Sequence, residues 1–390
     1  MGKYNFDQIV ERRNTDSFKY AALEKLYGRS DLIPLWVADM DFLSPPAVIR
    51  ALVERSQYGI YGYTFASDRY YNSIINWQKQ YHQWDVSKEE LSFIPGIVRG
   101  IAFAVHTFSK EGDKVIIQPP VYHPFRIVAQ SHKREVVTNP LLFDGNRYTM
   151  DFEGLEKVTD KGDCKILILS NPHNPGGRVW NREELARLAE ICYEKKVLVI
   201  SDEIHSDLAL NGHKHIPFAS VSEKAAQNSI TFNAPSKSFN IAGIVSSYSI
   251  VKNKKLRDEF YNYLKINDLD GGTLFAYLAL QEAYEKGGDW LEELKEYLWG
   301  NLLFVDTFLK ENIPQIRAII PEASFLLWLD CRELNLPQKE LNSLFVNKAR
   351  LALNDGAMFG KEGTGFMRMN VGCPRSILEK ALQQLKDALG

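Results

Sequence analysis

The sequence is poor in the features that most quickly assign a chain to a class. Its four cysteines in 390 residues, Cys164, Cys192, Cys331 and Cys373, are dispersed, with no CxxC and no histidine at ligand spacing. Neither a metal site nor a disulfide framework is signalled, and buried free thiols are predicted. No sign of charge dominates: 47 Lys and Arg stand against 49 Asp and Glu, a formal net charge of −2. Such a balance gives neither a basic nucleic-acid surface nor a polyanionic tail, so no nucleic-acid partner is expected. No run approaches the roughly 18 to 20 apolar residues of a membrane span. The best, Ile166 to Leu169 and Val197 to Ile200, have strand length, and no membrane partner is expected. The opening Met1-Gly-Lys-Tyr-Asn-Phe-Asp-Gln lacks the apolar core of a signal peptide, and Phe6 sits where a myristoylation motif has Ser or Thr. The expectation is a mature cytoplasmic chain.

What is present is enough apolar material, 45% hydrophobic and 12% aromatic residues, for more than one substantial core. The middle of the chain alternates short β-branched runs with helical periods, the pattern of parallel strands joined by crossover helices. From Gly96, the positions Ile97, Ile101, Ala104, Val105 and Phe108 fall at helical spacing, and Lys114 to Gln118 follows as a strand. Arg134 to Thr138, Lys165 to Ser170, Val197 to Ser201 and Ser229 to Asn233 are further predicted strands. Asn181 with Glu184 makes a capping box for a helix running to Lys195. Beyond Gly287-Gly288 the pattern changes to a long helix over Trp290 to Glu311 and strands at Ile316 to Ile320 and Phe325 to Leu329. A helix near Leu336 to Ala349, a strand at Phe366 to Val371 and a helix from Ser376 to Leu389 complete the chain. The predicted class is α/β: a large domain (51–287) with a mostly parallel sheet flanked by helices, and a smaller α+β domain (288–390). The loop-rich residues 1–50 are expected to pack with the small domain.

In an open α/β sheet, ligands bind beyond the carboxyl ends of the strands. Four polar motifs lie at such points: Phe93-Ile-Pro-Gly96-Ile-Val98, Ser170-Asn-Pro-His-Asn174-Pro-Gly-Gly177, Ser201-Asp202-Glu-Ile-His205, and Pro235-Ser236-Lys237-Ser-Phe-Asn-Ile-Ala-Gly243. A helix opening at Gly96 offers free amides to a phosphate. An Asp at a strand end can keep a ring nitrogen protonated, and a Lys can form a Schiff base with an aldehyde. Together these are the requirements of pyridoxal 5'-phosphate, whose pyridinium partner and Schiff-base lysine the protein must supply. Taken singly, Asp202 also reads as a helix cap, Asn174 as a turn residue before Pro175, and Arg368 as a solvent-facing strand residue alternating with Met367 and Met369.

In combination these motifs resemble the fold type I, aminotransferase class I/II group of pyridoxal-phosphate enzymes over nearly the whole chain. More narrowly, Trp36-Val-Ala-Asp-Met-Asp-Phe42, Leu353-Asn-Asp-Gly-Ala-Met-Phe-Gly360 and Arg368-Met-Asn-Val-Gly-Cys-Pro374 resemble the cystathionine β-lyase, or bacterial C-S lyase, branch. The resemblance implies that Lys237 carries the cofactor, Asp202 pairs with its ring nitrogen, Asn174 bonds its ring hydroxylate and Tyr122 stacks on its ring. It implies phosphate contacts from the backbone of Ile97 and Val98, from Ser236, and from Tyr63 of a partner subunit in a homodimer. His205 would neighbour the ring, and Arg368 would grip a substrate carboxylate. Two positions depart from the aminotransferase pattern: Val245 stands eight residues after Lys237, where an Arg is common, and His205 stands where a Tyr is common. The implied reaction is α,β-elimination on a sulfur amino acid, L-cystathionine or L-cysteine. The alternatives are transamination and an additional regulatory role through protein contact.

Overall fold

The computed structural model describes residues 2–390. Helices α1 (Pro46–Gln57) and α2 (Asp68–His82) precede the first sheet strand, β1 (Leu91–Ile94). Next come α3 (Ile97–Phe108), β2 (Lys114–Ile117), α4 (Pro124–Ser131), β3 (Glu135–Thr138) and β4 (Cys164–Ser170). The chain continues through α5 (Arg182–Glu194), β5 (Leu198–Asp202), β6 (Ser229–Asn233), β7 (Ser247–Ile250), α6 (Lys254–Ile266) and α7 (Leu274–Lys286). Seven strands form one sheet in the order β1-β7-β6-β5-β4-β2-β3. Only β7 runs antiparallel to its neighbours, so the sheet is mostly parallel as predicted. Its central strands β4, β5 and β6 are buried almost throughout, which is why they read as continuous apolar runs rather than as alternation.

The predicted apolar stripe of α3 is the one that is buried: Ile97, Ile101, Ala104 and Val105 pack with Ile94, Ile117, Ile168, Ile200 and Phe232 in one core layer. Gly100 lets the helix lie close on the sheet, since a Cβ there would sit 2.7 Å from Ile94 Cγ2 and 2.8 Å from Phe232 Cε1. On the opposite face, α5 buries Leu185, Leu188, Ala189 and Cys192 against β4 and β5. Its capping box is formed, with Asn181 Oδ1 accepting from Glu184 N at 2.8 Å and Glu184 Oε2 accepting from Asn181 N at 2.9 Å. All four cysteines are buried and unpaired.

The chain then forms the long helix α8 (Gly288–Asn312) and an antiparallel sheet ordered β8-β9-β11-β10. Its strands are β8 (Arg317–Ile319), β9 (Leu326–Asp330), β10 (Asn354–Asp355) and β11 (Phe366–Asn370), and α9 (Arg375–Leu389) closes the chain. The helix expected near Leu336 to Ala349 is shorter. It is α-helical over Gln338–Ser343 and widens into a π turn over Leu344–Lys348. The wide turn closes with Ala349 N donating to Leu344 O at 2.9 Å. It hands the chain through Arg350, at φ +59°, into Leu351–Ala352. There it meets the N-terminal residues, Ile33–Pro34 pairing in parallel with Leu351–Ala352. Residues 36–42 then run between the two sheets toward the Lys237 loop. No helix among the described residues is long and apolar enough to cross a membrane, and no group of three or more His, Cys, Asp or Glu among them could hold a metal.

Candidate active site

The carboxyl ends of β4, β5 and β6, the loop after β6 and the N-terminus of α3 converge on a cavity of about 220 Å3. It is lined by eight of the residues singled out in the sequence: Ile97, Val98, Tyr122, Asn174, Asp202, His205, Ser236 and Lys237. Topology explains the meeting. Parallel strands deliver every βα turn to the same edge, so motifs separated by up to 140 residues open onto one space.

Asp202 ends β5 and is buried, with a single donor on its carboxylate, Ile204 N at 3.2 Å. Burial pushes its pKa up to about 7, against the lowering effects of that bond and of the Lys237 amine. Lys237 is moved the other way: burial and then the Arg368 charge press its amine down to about 8, while Asp39 and Asp202 oppose them. Its Nζ donates to Ala38 O at 2.5 Å. The amide N–H groups of Ile97 and Val98 lie in the first turn of α3, where no intrahelical acceptor exists. Gly96, at φ +110°, caps that turn without a side chain over the opening. Asn174 follows β4, and its backbone carbonyl accepts from Tyr122 N at 3.1 Å. This bond ties the ring of Tyr122 to the cavity wall, where burial raises its hydroxyl pKa. His205 is buried, and its Nδ1 has no partner. Burial and the Lys237 and Arg368 charges lower its pKa to about 3, so its imidazole is neutral.

Arg368, on β11 of the four-stranded sheet, is buried rather than solvent-facing. Its Nη1 donates to Asn174 Oδ1 at 3.0 Å, and its Nη2 to Asn354 Oδ1 at 2.5 Å and Trp36 O at 3.2 Å. Among the described residues no carboxylate faces it and its Nε finds no partner, and burial lowers its pKa to about 10. A desolvated guanidinium with neutral partners alone is a prepared anion site. Tyr63 is not brought to the cavity: it is fully exposed, in an extended stretch with Tyr58, Ile60, Tyr61 and Phe65, all also exposed.

Not singled out in the sequence are Ala38 and Asn354, which bond Lys237 and Arg368, and Asn240 and Asn370, which bond the backbone of residues 37–42. The only signal for Ala38 was the Trp36–Phe42 motif itself, since a backbone carbonyl leaves no trace in residue type. Val245 lines the cavity at φ +54°, an uncommon conformation for a β-branched residue, and puts an apolar side chain where a guanidinium is otherwise common.

The polar groups left open here fit pyridoxal 5'-phosphate. They are a lone buried carboxyl, an amine of lowered pKa, free helix-terminal amides and a partnerless imidazole nitrogen around one cavity, with Arg368 joined to its lining through Asn174 and keeping Nε unpartnered. Comparison with known proteins agrees. The chain is 43% identical to the cystathionine beta-lyase PatB of Bacillus subtilis over 99% of its own length and 100% of the relative's. A pyridoxal-phosphate-bound protein of Clostridium difficile 630, named an aminotransferase, superposes with a TM-score of 0.97 at 42% identity, covering 99% of this chain and 100% of that one. The pyridoxal-phosphate-bound C-S lyase of Staphylococcus hominis gives 0.91 at 35% identity, covering 99% and 98%. The family described as aminotransferase class I and II matches residues 30–385. With the strand-end motifs gathered on one cavity and that match spanning nearly its whole length, this chain belongs to the aminotransferase class I and II family.

Proposed function

We propose that this protein is a pyridoxal-phosphate-dependent carbon–sulfur β-lyase. It would convert L-cystathionine and water to homocysteine, pyruvate and ammonia, and L-cysteine and water to hydrogen sulfide, pyruvate and ammonia. The observation that carries the reading is a buried amine of lowered pKa on Lys237 in the cavity lining together with a buried guanidinium on Arg368, bonded to the lining residue Asn174, that has no carboxylate of its own. One end of the site takes an aldehyde and the other a carboxylate.

Bound there, pyridoxal phosphate supplies an electron sink for charge developing at the substrate α-carbon. Lys237 holds the cofactor and, once its amine is released, takes the α-proton at Nζ. An amine with a pKa near 8 is a competent base at neutral pH. Asp202 keeps the ring nitrogen protonated. Its own raised pKa measures how strongly the buried carboxylate seeks a positive partner. Ile97, Val98 and Ser236 hold the phosphate, Asn174 the ring hydroxylate, and Tyr122 covers the ring. His205, neutral and beside Phe325 at 6.4 Å between ring centroids, orients the ring rather than moving protons. Arg368 fixes the α-carboxylate, which aims the α-proton at Lys237 and the β-sulfur at the open end of the cavity.

In this reading residues 51–287 supply the cofactor contacts, while 288–390 with 1–50 supply the carboxylate grip. The exposed apolar stretch Tyr58 to Phe65 is covered by a second copy, with Tyr63 reaching the partner's phosphate. The four unpaired buried thiols suit a reducing, cytoplasmic location. The second reading, transamination, is favoured by the name of the Clostridium difficile structure. Incubation of the cofactor-loaded protein with L-cystathionine, with and without 2-oxoglutarate, decides between them. Equal pyruvate and thiol without the oxo acid establish the lyase, whereas oxo-acid-dependent glutamate without thiol establishes the aminotransferase. Lys237→Ala abolishes either activity, and ordinary rates in that variant refute the site.

A further inference from the structure

Trp36 to Phe42 passes the cavity as a strap with neither helix nor strand, so its carbonyls have no ladder partners. Side chains of the site supply them instead. Trp36 O accepts from Arg368 Nη2 at 3.2 Å, Val37 O from Asn370 Nδ2 at 2.5 Å, and Ala38 O from Lys237 Nζ at 2.5 Å. Asp39 O accepts from Asn370 Nδ2 at 2.6 Å. Met40 O and Phe42 O accept from Asn240 Nδ2 at 3.0 and 2.7 Å. Met40 N donates to Asn240 Oδ1 at 3.0 Å. Buried backbone acceptors are rarely left without a donor, and here the donors come mainly from the loop carrying Lys237 and the strand carrying Arg368, with Arg12 Nη1 also reaching Met40 O at 3.2 Å and Lys19 Nζ reaching Asp39 O at 3.4 Å.

Two of these donors cannot serve the strap throughout the reaction proposed above, on which this inference rests. Lys237 turns to the cofactor and Arg368 to the substrate carboxylate, leaving Ala38 O and Trp36 O without their partners. The asparagines have no such second duty. Asn240 stands three residues after Lys237 at φ +54°, a conformation Asn tolerates. Asn370 stands two after Arg368, so in a strand its side chain leaves on the same face.

We infer that Asn240 and Asn370 are positioning residues that hold the Trp36–Phe42 strap over the cavity when Lys237 and Arg368 engage their ligands, and thereby set how tightly the substrate carboxylate is enclosed. Each site element pairs a group that must let go with a neighbour that does not. A competing anchor lies on the strap's far side, where Arg12 and Lys19 pair with Asp39 and Asp41 at 2.6 to 2.7 Å.

Hydrogen exchange of peptides covering 36–42, in wild type and in Asn240→Gly, each with and without pyridoxal phosphate, separates the two anchors. Glycine accepts the positive φ, so the variant loses the amide and not the backbone geometry. Without cofactor, the variant exchanges within about threefold of wild type, because Lys237 still holds Ala38 O. With cofactor, it exchanges about tenfold faster, because the three lost Asn240 bonds, to Met40 N, Met40 O and Phe42 O, are then no longer backed by Lys237. In turnover KM rises about tenfold while kcat stays within about threefold. Equal protection in both proteins with cofactor, an equal loss with and without it, or a fall in kcat at constant KM each overturns the inference and assigns the strap to the ion pairs. Should Asn240→Gly fail to fold, Ser44→Ala removes the Ser44 Oγ bond to Asn240 O, 3.0 Å, and gives the same pattern at about threefold. Visible absorbance on adding cofactor to wild type is the control. If it does not form, the cofactor reading fails and the strap inference with it; if it forms with unchanged protection, the strap inference fails alone.

Discussion

Replacing Asp202 by Asn stabilises the cofactor-free protein while disabling the site, and the gain depends on pH in a way the structure specifies. The carboxyl is buried with one backbone donor, and its pKa stands at about 7 against an ordinary 3.8. The folded state therefore holds a proton that the unfolded chain releases, and stability falls as pH rises from about 4 through about 7 before levelling off. The full displacement corresponds to about 4 kcal/mol above pH 7, and to about 2 kcal/mol at pH 5, where the folded group is still neutral. Asn keeps the oxygen that accepts from Ile204 N and carries no charge at any pH. In urea unfolding of cofactor-free protein, Asp202→Asn is thus more stable than wild type by about 2 kcal/mol at pH 5 and about 4 kcal/mol at pH 8. Pyridoxal phosphate reverses the order, since a carboxylate facing a protonated ring nitrogen gains what the amide cannot, and wild type becomes the more stable at pH 8. A gain of equal size at both pH values, or no gain at pH 8, refutes the claim that Asp202 is an unpaired buried carboxyl awaiting a cation. A gain that survives cofactor addition refutes its pairing with the ring.

Lys237, with its amine at about 8 instead of 10.5, reacts with pyridoxal phosphate at a rate that climbs with pH to a midpoint near 8, as stopped-flow absorbance shows; a midpoint near 10 contradicts the burial argument. Arg368→Lys keeps the charge but loses the planar fork, so kcat/KM for cystathionine falls about 100-fold, mostly through KM. An unchanged KM means the substrate carboxylate binds elsewhere. Gly100→Ala places a Cβ 2.7 Å from Ile94 Cγ2, which costs about 1 to 3 kcal/mol in unfolding and lifts the α3 N-terminus from the cavity, weakening cofactor binding measured by equilibrium dialysis. Tight binding at wild-type strength shows that α3 does not carry the phosphate.

Parts of this protein were settled along the chain. The parallel sheet was legible because strands buried on both faces must be continuous apolar runs, as in Cys164–Ser170 and Leu198–Asp202. The capped helix after Asn181 was legible because its signals are local. Lys237, Asp202 and Asn174 were legible because each sits a fixed step past such a strand. The antiparallel β7 was not, since four residues between a loop and a helix carry no direction of their own. Nor was the end of the helix at Ser343, where the pairing of Leu351–Ala352 with Ile33–Pro34 decides the exit.

Residue types and their order determined which chemistry this chain can hold: an amine for an aldehyde, a carboxyl for a ring nitrogen, a guanidinium for a carboxylate. Only the tertiary structure decided the state of those groups. Burial first of all carries Asp202 up to about 7 and, with the Arg368 charge, Lys237 down to about 8, and it turns Arg368 from a strand residue facing water into a cation with no counter-charge. The strap was beyond the sequence for the same reason. Its partners are backbone carbonyls, identical in every residue, and what they bond to is fixed by which two distant elements the fold sets on either side of them.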